Sequence, residues 1–149
     1  MQWDKLEFVL GGQDKLEDMY QLSKVAMKEQ VEEIFGPWDE DQQREMFFRS
    51  THPNTHTLLY FQNRLIGYYW FTQTTEHTHL HRITLHPEIQ GKGLGTRLLQ
   101  KLMKESKEMQ LPMQLRVFPS NPAYRLYRRL GFKEFDRTDK HIYMRWVSE

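Results

Sequence analysis

Ile83-Thr84-Leu85-His86-Pro87-Glu88-Ile89-Gln90-Gly91-Lys92-Gly93-Leu94-Gly95-Thr96 is the stretch on which the reading of this chain turns. It passes from an apolar, β-rich run through a His-Pro break into three glycines. A helix then opens, marked by Leu94, Leu98, Leu99, Leu102 and Met103 at helical spacing. Glycine lets a backbone come close to a ligand, and the first turn of a helix leaves amide N–H groups with no acceptor of their own. The helix dipole, Lys92 and Arg97 put positive charge at the same place, so a diphosphate is the natural guest. Two familiar nucleotide loops do not fit. A P-loop needs glycine where His86 stands and a hydroxyl where Gly93 stands, and in a dinucleotide fingerprint the third glycine would fall one residue later than Gly95. A glycine turn that merely starts a helix is the simple alternative.

Upstream, Trp3 to Val9 reads as a short strand, and Gly11-Gly12 breaks it. Leu16, Met19, Tyr20, Ser23, Met27, Val31, Ile34 and Phe35 then recur at three- and four-residue intervals, which predicts one or two amphipathic helices ended by Gly36-Pro37. Asp39 with Gln42 three residues on predicts an N-cap and a further short helix through Phe48. Thr57 to Gln62, a turn at Asn63-Arg64 and Leu65 to Gln73 predict a hairpin, and His77 to Leu85 a further strand. Downstream, Met113, Leu115 and Val117 alternate as a strand. Ala123, Leu126, Tyr127 and Leu130 share a helix face closed by Gly131 at the C′ position. Phe132 to Arg137 and His141 to Val147 complete the pattern as two strands. The expected fold class is α+β, a mixed, mostly antiparallel central sheet with helices on both faces, formed by residues 1–149 as a single domain.

Composition narrows the function. The chain has 149 residues, with 21 Lys plus Arg against 20 Asp plus Glu, a net charge of +1. No single-sign field is available to hold a nucleic acid or a lipid surface, although Tyr124-Arg125-Leu126-Tyr127-Arg128-Arg129 interleaves basic and aromatic residues. There is no cysteine, which excludes disulfides, thiolate metal sites and thiol nucleophiles. No Gly-x-Ser-x-Gly surrounds Ser23, Ser50, Ser106, Ser120 or Ser148, so a covalent acyl-enzyme has little support. Neither a signal peptide nor a membrane span is legible, and the expected location is cytoplasmic.

The glycine loop resembles the pyrophosphate loop of the GNAT superfamily of N-acetyltransferases, whose signature is Gln/Arg-x-x-Gly-x-Gly/Ala after an apolar strand. Gln90 to Gly95 reproduces it without a gap. A second family pattern recurs in order as Asn121-Pro122-Ala123, Leu126-Tyr127 and Gly131-Phe132. The resemblance covers Leu65 to Val147 well, while the N-terminal helices agree only in position and type. It implies that acetyl-CoA is the acyl donor, with its pyrophosphate on the amides of Gly91, Lys92, Gly93, Leu94, Gly95 and Thr96 and with Gln90 and Tyr127 also among the cofactor-binding residues. Its pantetheine arm would run along the backbone of Ile83, Thr84 and Leu85, where the family's strand splays from its neighbour. Asn121 would contact that arm, and Tyr127 would protonate the departing thiolate. Both have bland alternatives: Asn before Pro is a preferred N-cap, and Tyr127 on a buried stripe can be a core aromatic. The family is often dimeric, so a homodimer lies within what the resemblance implies.

For the base, His77, His79 and His81 alternate and share one side of a strand unless a bulge intervenes. Imidazole suits proton removal near neutrality. His79-Leu80-His81 has a local resemblance to the paired histidines of arylalkylamine N-acetyltransferases. A solvated strand face and a three-histidine metal site are the alternatives. No metal is expected, since strand-spaced imidazoles without an acidic partner seldom complete a shell. Some ribosomal-protein acetyltransferases carry a glutamate base on the later strand, whereas this chain reads Leu115-Arg116-Val117. Trp38, Phe35, Tyr68, Tyr69 and Trp70 are candidates for an aromatic acceptor pocket. The expected activity is acetyl transfer to a primary amine of a small molecule or peptide within a ternary complex. The competing reading is a CoA-binding sensor without turnover.

Overall fold

The computed structural model describes residues 2–148. Its strands are β1 (Glu7–Leu10), β2 (Thr57–Phe61), β3 (Arg64–Gln73), β4 (Thr78–Leu85), β5 (Met113–Val117), β6 (Lys133–Arg137) and β7 (Ile142–Trp146). Its α-helices are α1 (Leu16–Phe35), α2 (Glu40–Ser50), α3 (Leu94–Glu108) and α4 (Ala123–Arg129). The strand order is β1-β2-β3-β4-β5-β7-β6. The pair β4/β5 is parallel, and β1/β2, β2/β3, β5/β7 and β6/β7 are antiparallel, so the expected mixed α+β sheet is present. Two compact units are distinguishable, residues 2–70 with 83–92 and residues 71–82 with 93–148. No helix among the described residues is long and apolar enough to cross a membrane.

In the first unit β1, β2 and β3 form an antiparallel meander with Phe8 opposite Leu59 and Leu58 opposite Tyr68. Trp3 to Lys5 forms a 3₁₀ turn, so the first strand starts at Glu7 rather than Trp3. The hairpin turn lies at Gln62-Asn63, one residue earlier than the sequence suggests. Both residues have positive φ, 51° and 63°, the twist that two-residue hairpin loops favour, and Arg64 is already paired with Phe61. Asp39 caps α2 as expected, its Oδ1 accepting from the Gln42 amide at 3.1 Å.

The long apolar stripe upstream forms one helix of 20 residues, α1, ended at Gly36 with φ +89°. Its stripe is buried only at the start. Leu16, Met19, Tyr20 and Leu22 pack with Phe47, Leu58 and Tyr68, whereas Ile34 and Phe35 are 73% and 80% exposed. The helix spans about 30 Å and outruns the elements that cover its first turns. Phe35 therefore does not line a buried aromatic pocket, while Tyr68 and Tyr69 are buried in β3.

In the second unit β5, β7 and the start of β4 alternate in burial. Thr78, Leu80, Met113, Leu115, Val117, Ile142 and Met144 are buried, and the helix α3 contributes Leu94, Leu98, Leu99, Leu102, Met103 and Ser106 to the buried set. Thr78 Oγ1 and Ser106 Oγ lie 2.7 Å apart, and Ser106 also donates to the Leu102 carbonyl, so the two buried hydroxyls satisfy each other. The other face carries His79, His81, Gln114, Arg116, Tyr143 and Arg145. β6 is an edge strand with every residue exposed and a register shift between Glu134 and Asp136.

Gly67 on β3 faces the end of β4. A Cβ there would lie 2.8 Å from Leu85 Cδ2 and 3.0 Å from the Thr84 carbonyl oxygen. Gly67→Ala is expected to destabilise the protein by about 1–3 kcal/mol through overpacking. Gly12→Ala, whose Cβ would meet only the side-chain oxygen of Asp14, should change little. Urea midpoints of the two variants check this; equal midpoints would show that the β3 and β4 backbones are not in close approach.

Candidate active site

The glycine loop begins with a 3₁₀ turn over Pro87–Ile89. His86 Nδ1 accepts from the Glu88 amide at 3.1 Å, and Arg64 pairs with Glu88 at 3.0 Å, which pins the turn. Gly91 and Gly93 then adopt positive φ, +78° and +84°, and nothing lies within 4 Å of where their Cβ atoms would be. Their need for glycine is conformational rather than spatial. The first α3 backbone bond runs from the Arg97 amide to the Gly93 carbonyl at 3.0 Å. The amides of Leu94, Gly95 and Thr96 thus lie in the first turn, without intrahelical acceptors. This backbone fits a phosphate group: unpaired donors, the positive end of a 15-residue helix, and no side chains on the two glycines to block approach.

Gln90 has a role the motif does not reveal. Its side-chain Nε2 donates to the Leu85 carbonyl at 2.9 Å, tying the loop to the end of β4. At that end Thr84 is buried and Ile83 and Leu85 are half-buried. The β4/β5 ladder is short: it comprises Thr78, His79 and Leu80 against Met113, Gln114 and Leu115, while Arg116 and Val117 pair with Tyr143 and Ile142 of β7. Among the described residues the β5 pairing of β4 ends at Leu80.

The three histidines do share one side of β4. The rings of His79 and His81 are 4.4 Å apart between centroids, and those of His77 and His79 are 6.1 Å apart. Burial, reinforced by His81, His77 and Arg116, pulls the His79 imidazole down to about 4. Burial and then Arg116 lower His81 as well. His79 is therefore an uncharged proton acceptor at neutral pH, though a weak one. His81 Nε2 lies 2.7 Å from Thr72 Oγ1, a contact the sequence reading missed; counting back from the turn closed by Thr74 and His77 would have placed Thr72 beside the histidines. Among the described residues no group of three or more His, Asp or Glu side chains is placed to hold a metal.

Tyr127 is 7% exposed, its ring edge-on to Phe132 at 5.9 Å, and burial pushes its phenol up to about 12. It therefore holds its proton at neutral pH. Asn121 Oδ1 accepts from the Ala123 amide at 2.9 Å, which is the capping role foreseen for it. Lys92 is exposed.

Comparison with known proteins agrees with this geometry. The family model described as "Acetyltransferase (GNAT) family" matches residues 16–132. A curated relative, the [ribosomal protein bS18]-alanine N-acetyltransferase of Haemophilus influenzae, is 36% identical over 75 residues, 50% of this chain. The match spans only about half of that relative's length, 51%. Among solved structures, the PaiA N-acetyltransferase of Thermoplasma acidophilum in complex with coenzyme A superposes with a TM-score of 0.78 at 20% identity, covering 96% of this chain and 99% of that one. The ribosomal-protein-S18-alanine N-acetyltransferase of Escherichia coli gives 0.68 at 22% identity, covering 95% and 93%. At these identities the structural likeness is one of fold.

The depressed His79 has a measurable consequence. Its folded pKa of about 4 lies below the ordinary value of 6.5, so between these pH values the unfolded chain binds a proton that the native site refuses. Stability is accordingly full above pH 6.5 and is lost as pH falls toward 4. His79→Asn is expected to flatten that slope in a series of thermal midpoints; identical slopes in both proteins would show that the native site does not hold this ring uncharged.

Proposed function

Because the chain belongs to the acetyltransferase (GNAT) family, we propose that it transfers an acetyl group from acetyl-CoA to a primary amine of a small molecule or peptide, by direct attack in a ternary complex. Residues 1–149 act in this reading as one catalytic domain in the cytoplasm. The observation that carries it is the start of α3, where two glycines of positive φ lead into amides without intrahelical acceptors.

Gly91 to Thr96 grip the diphosphate with backbone N–H groups, and Lys92 adds charge. Gln90 orients the loop through Leu85. The backbone of Ile83, Thr84 and Leu85 serves the pantetheine arm, and Asn121 combines its cap with a contact to it. When bound, the donor supplies an activated thioester. One N–C bond forms as one C–S bond breaks, and the proton lost by nitrogen balances the proton gained by sulfur. His79 or His81, directly or through water, takes the first; Tyr127 gives the second. The close pair His79 and His81, with His81 against Thr72, supports the base assignment, as does its local likeness to arylalkylamine N-acetyltransferases. With no cysteine, the chain has no thiol of its own to carry the acetyl group, which favours direct attack. That the H. influenzae relative is named for acetylating a protein alanine supports an amine acceptor.

Acetyl-CoA at about 100 times its Kd is expected to stabilise the fold by about 2.7 kcal/mol in a thermal-shift measurement. An amine panel with thiol detection should show turnover. Tyr127→Phe should slow thiol release by about 100-fold while leaving the cofactor-induced shift intact. A shift with no thiol release from any amine would instead identify a CoA-binding sensor, and no shift at all would remove the cofactor assignment.

A further inference from the structure

The solvent-side face of β4, β5 and β7 has an uncommon charge pattern. The register puts His79 beside Gln114 and Gln114 beside Arg145, and it puts Arg116 beside Tyr143. His81, two residues beyond His79 on the same face, has no β5 partner, yet Arg116 is near enough to lower its imidazole. All six side chains are neutral or cationic. Arg145 is already engaged: its guanidinium lies 4.3 Å from the Phe135 ring centroid, and Gln114, with its amide oxygen turned toward it, accepts from it at 3.3 Å. Arg116 is exposed and has no hydrogen bond or ion pair among the described residues. The nearest carboxylate by register is Asp136, opposite Tyr143 on β6, and its Oδ1 accepts from the Arg137 amide.

We propose that the acceptor is an amine carrying an anionic group, a carboxylate or a phosphate, which pairs with Arg116. The inference rests on the acetyltransferase reading and names the substrate class of the same site. A guanidinium beside the two histidines repels a purely cationic ammonium. An acceptor with an oxyanion a few bonds from its nitrogen meets the opposite balance: the fork of Arg116 takes the oxyanion through paired N–H donors. That pairing also cancels the oxyanion's tendency to keep its own amine protonated, which leaves nitrogen easier to deprotonate beside His79 and His81. Arg116 is then a specificity-determining residue, while proton removal stays with the imidazoles.

The test compares acceptors matched except for the anion: phenylalanine against phenethylamine for the carboxylate, and O-phosphoethanolamine against ethanolamine for the phosphate. With thiol release as the readout, one anionic member is expected to exceed its neutral partner by roughly 10- to 100-fold in kcat/KM, mainly through KM. The pair that shows the advantage identifies which oxyanion is used. Arg116→Gln should abolish the advantage, Arg116→Lys should keep part of it, and Arg116→Glu should reverse it. Equal use of both members, or an advantage that persists in Arg116→Gln, overturns the proposal. A binding arm separates its failure from that of the transferase reading: N-acetylphenylalanine and N-acetylphosphoethanolamine, each against its anion-free counterpart, are titrated while the His79 and His81 ring resonances are followed by NMR. Shifts caused by an anionic product and lost in Arg116→Gln uphold the anion site even if no amine releases thiol. Turnover of neutral amines without such shifts upholds the transferase and removes the anion site.

Discussion

The two-residue pleat of β4 is the constraint from which the site follows. Thr78 and Leu80 are committed to the interior, Thr78 through its hydroxyl contact with Ser106 of α3. A strand cannot turn one side chain inward without turning the next outward. His79 and His81 are thereby carried to the opposite face, where their rings stand 4.4 Å apart with Arg116 alongside. So close a pair disfavours a double positive charge, and burial disfavours even the first on His79. The same packing that stabilises the interior therefore keeps a proton acceptor uncharged.

A second division of labour separates backbone from side chains. The start of α3 depends on left-handed φ at Gly93, which would cost a residue with a Cβ about 1–2 kcal/mol. Its unpaired amides are a property of any helix start. In the proposed function, grip on a diphosphate therefore resides in main-chain geometry, with Lys92 as an auxiliary charge. In the proposed reaction proton handling falls to three side chains, His79, His81 and Tyr127, whose surroundings move their pKa values apart: the imidazoles down, the phenol up to about 12.

The sequence made the glycine loop, the α3 stripe, the Asp39 cap, the close at Gly131 and the shared side of the histidines legible, because each depends on neighbours within a few residues. What it concealed depends on register or on the presence of a partner. Periodicity in α1 runs on through Ile34 and Phe35, yet a stripe only states which side is apolar, and nothing in it says that the covering elements stop near Leu22. The Thr72–His81 contact and the Gln90 bond to the Leu85 carbonyl join residues whose adjacency is fixed by folding. Arg116 was visible as a missing glutamate; only the register sets it on the histidine face.

The edge strand β6 has a built-in symmetry of charge. Read in either direction, Lys133-Glu134-Phe135-Asp136-Arg137 has the same order of charge about Phe135. An identical strand laid against it antiparallel and centred on Phe135 would set Lys133 against Arg137 and Glu134 against Asp136, like charge on like charge at every flanking position. The register shift between Glu134 and Asp136 disrupts the outer ladder further. The open border of the sheet is thus guarded against templating its own polymer, leaving its unpaired backbone groups to water.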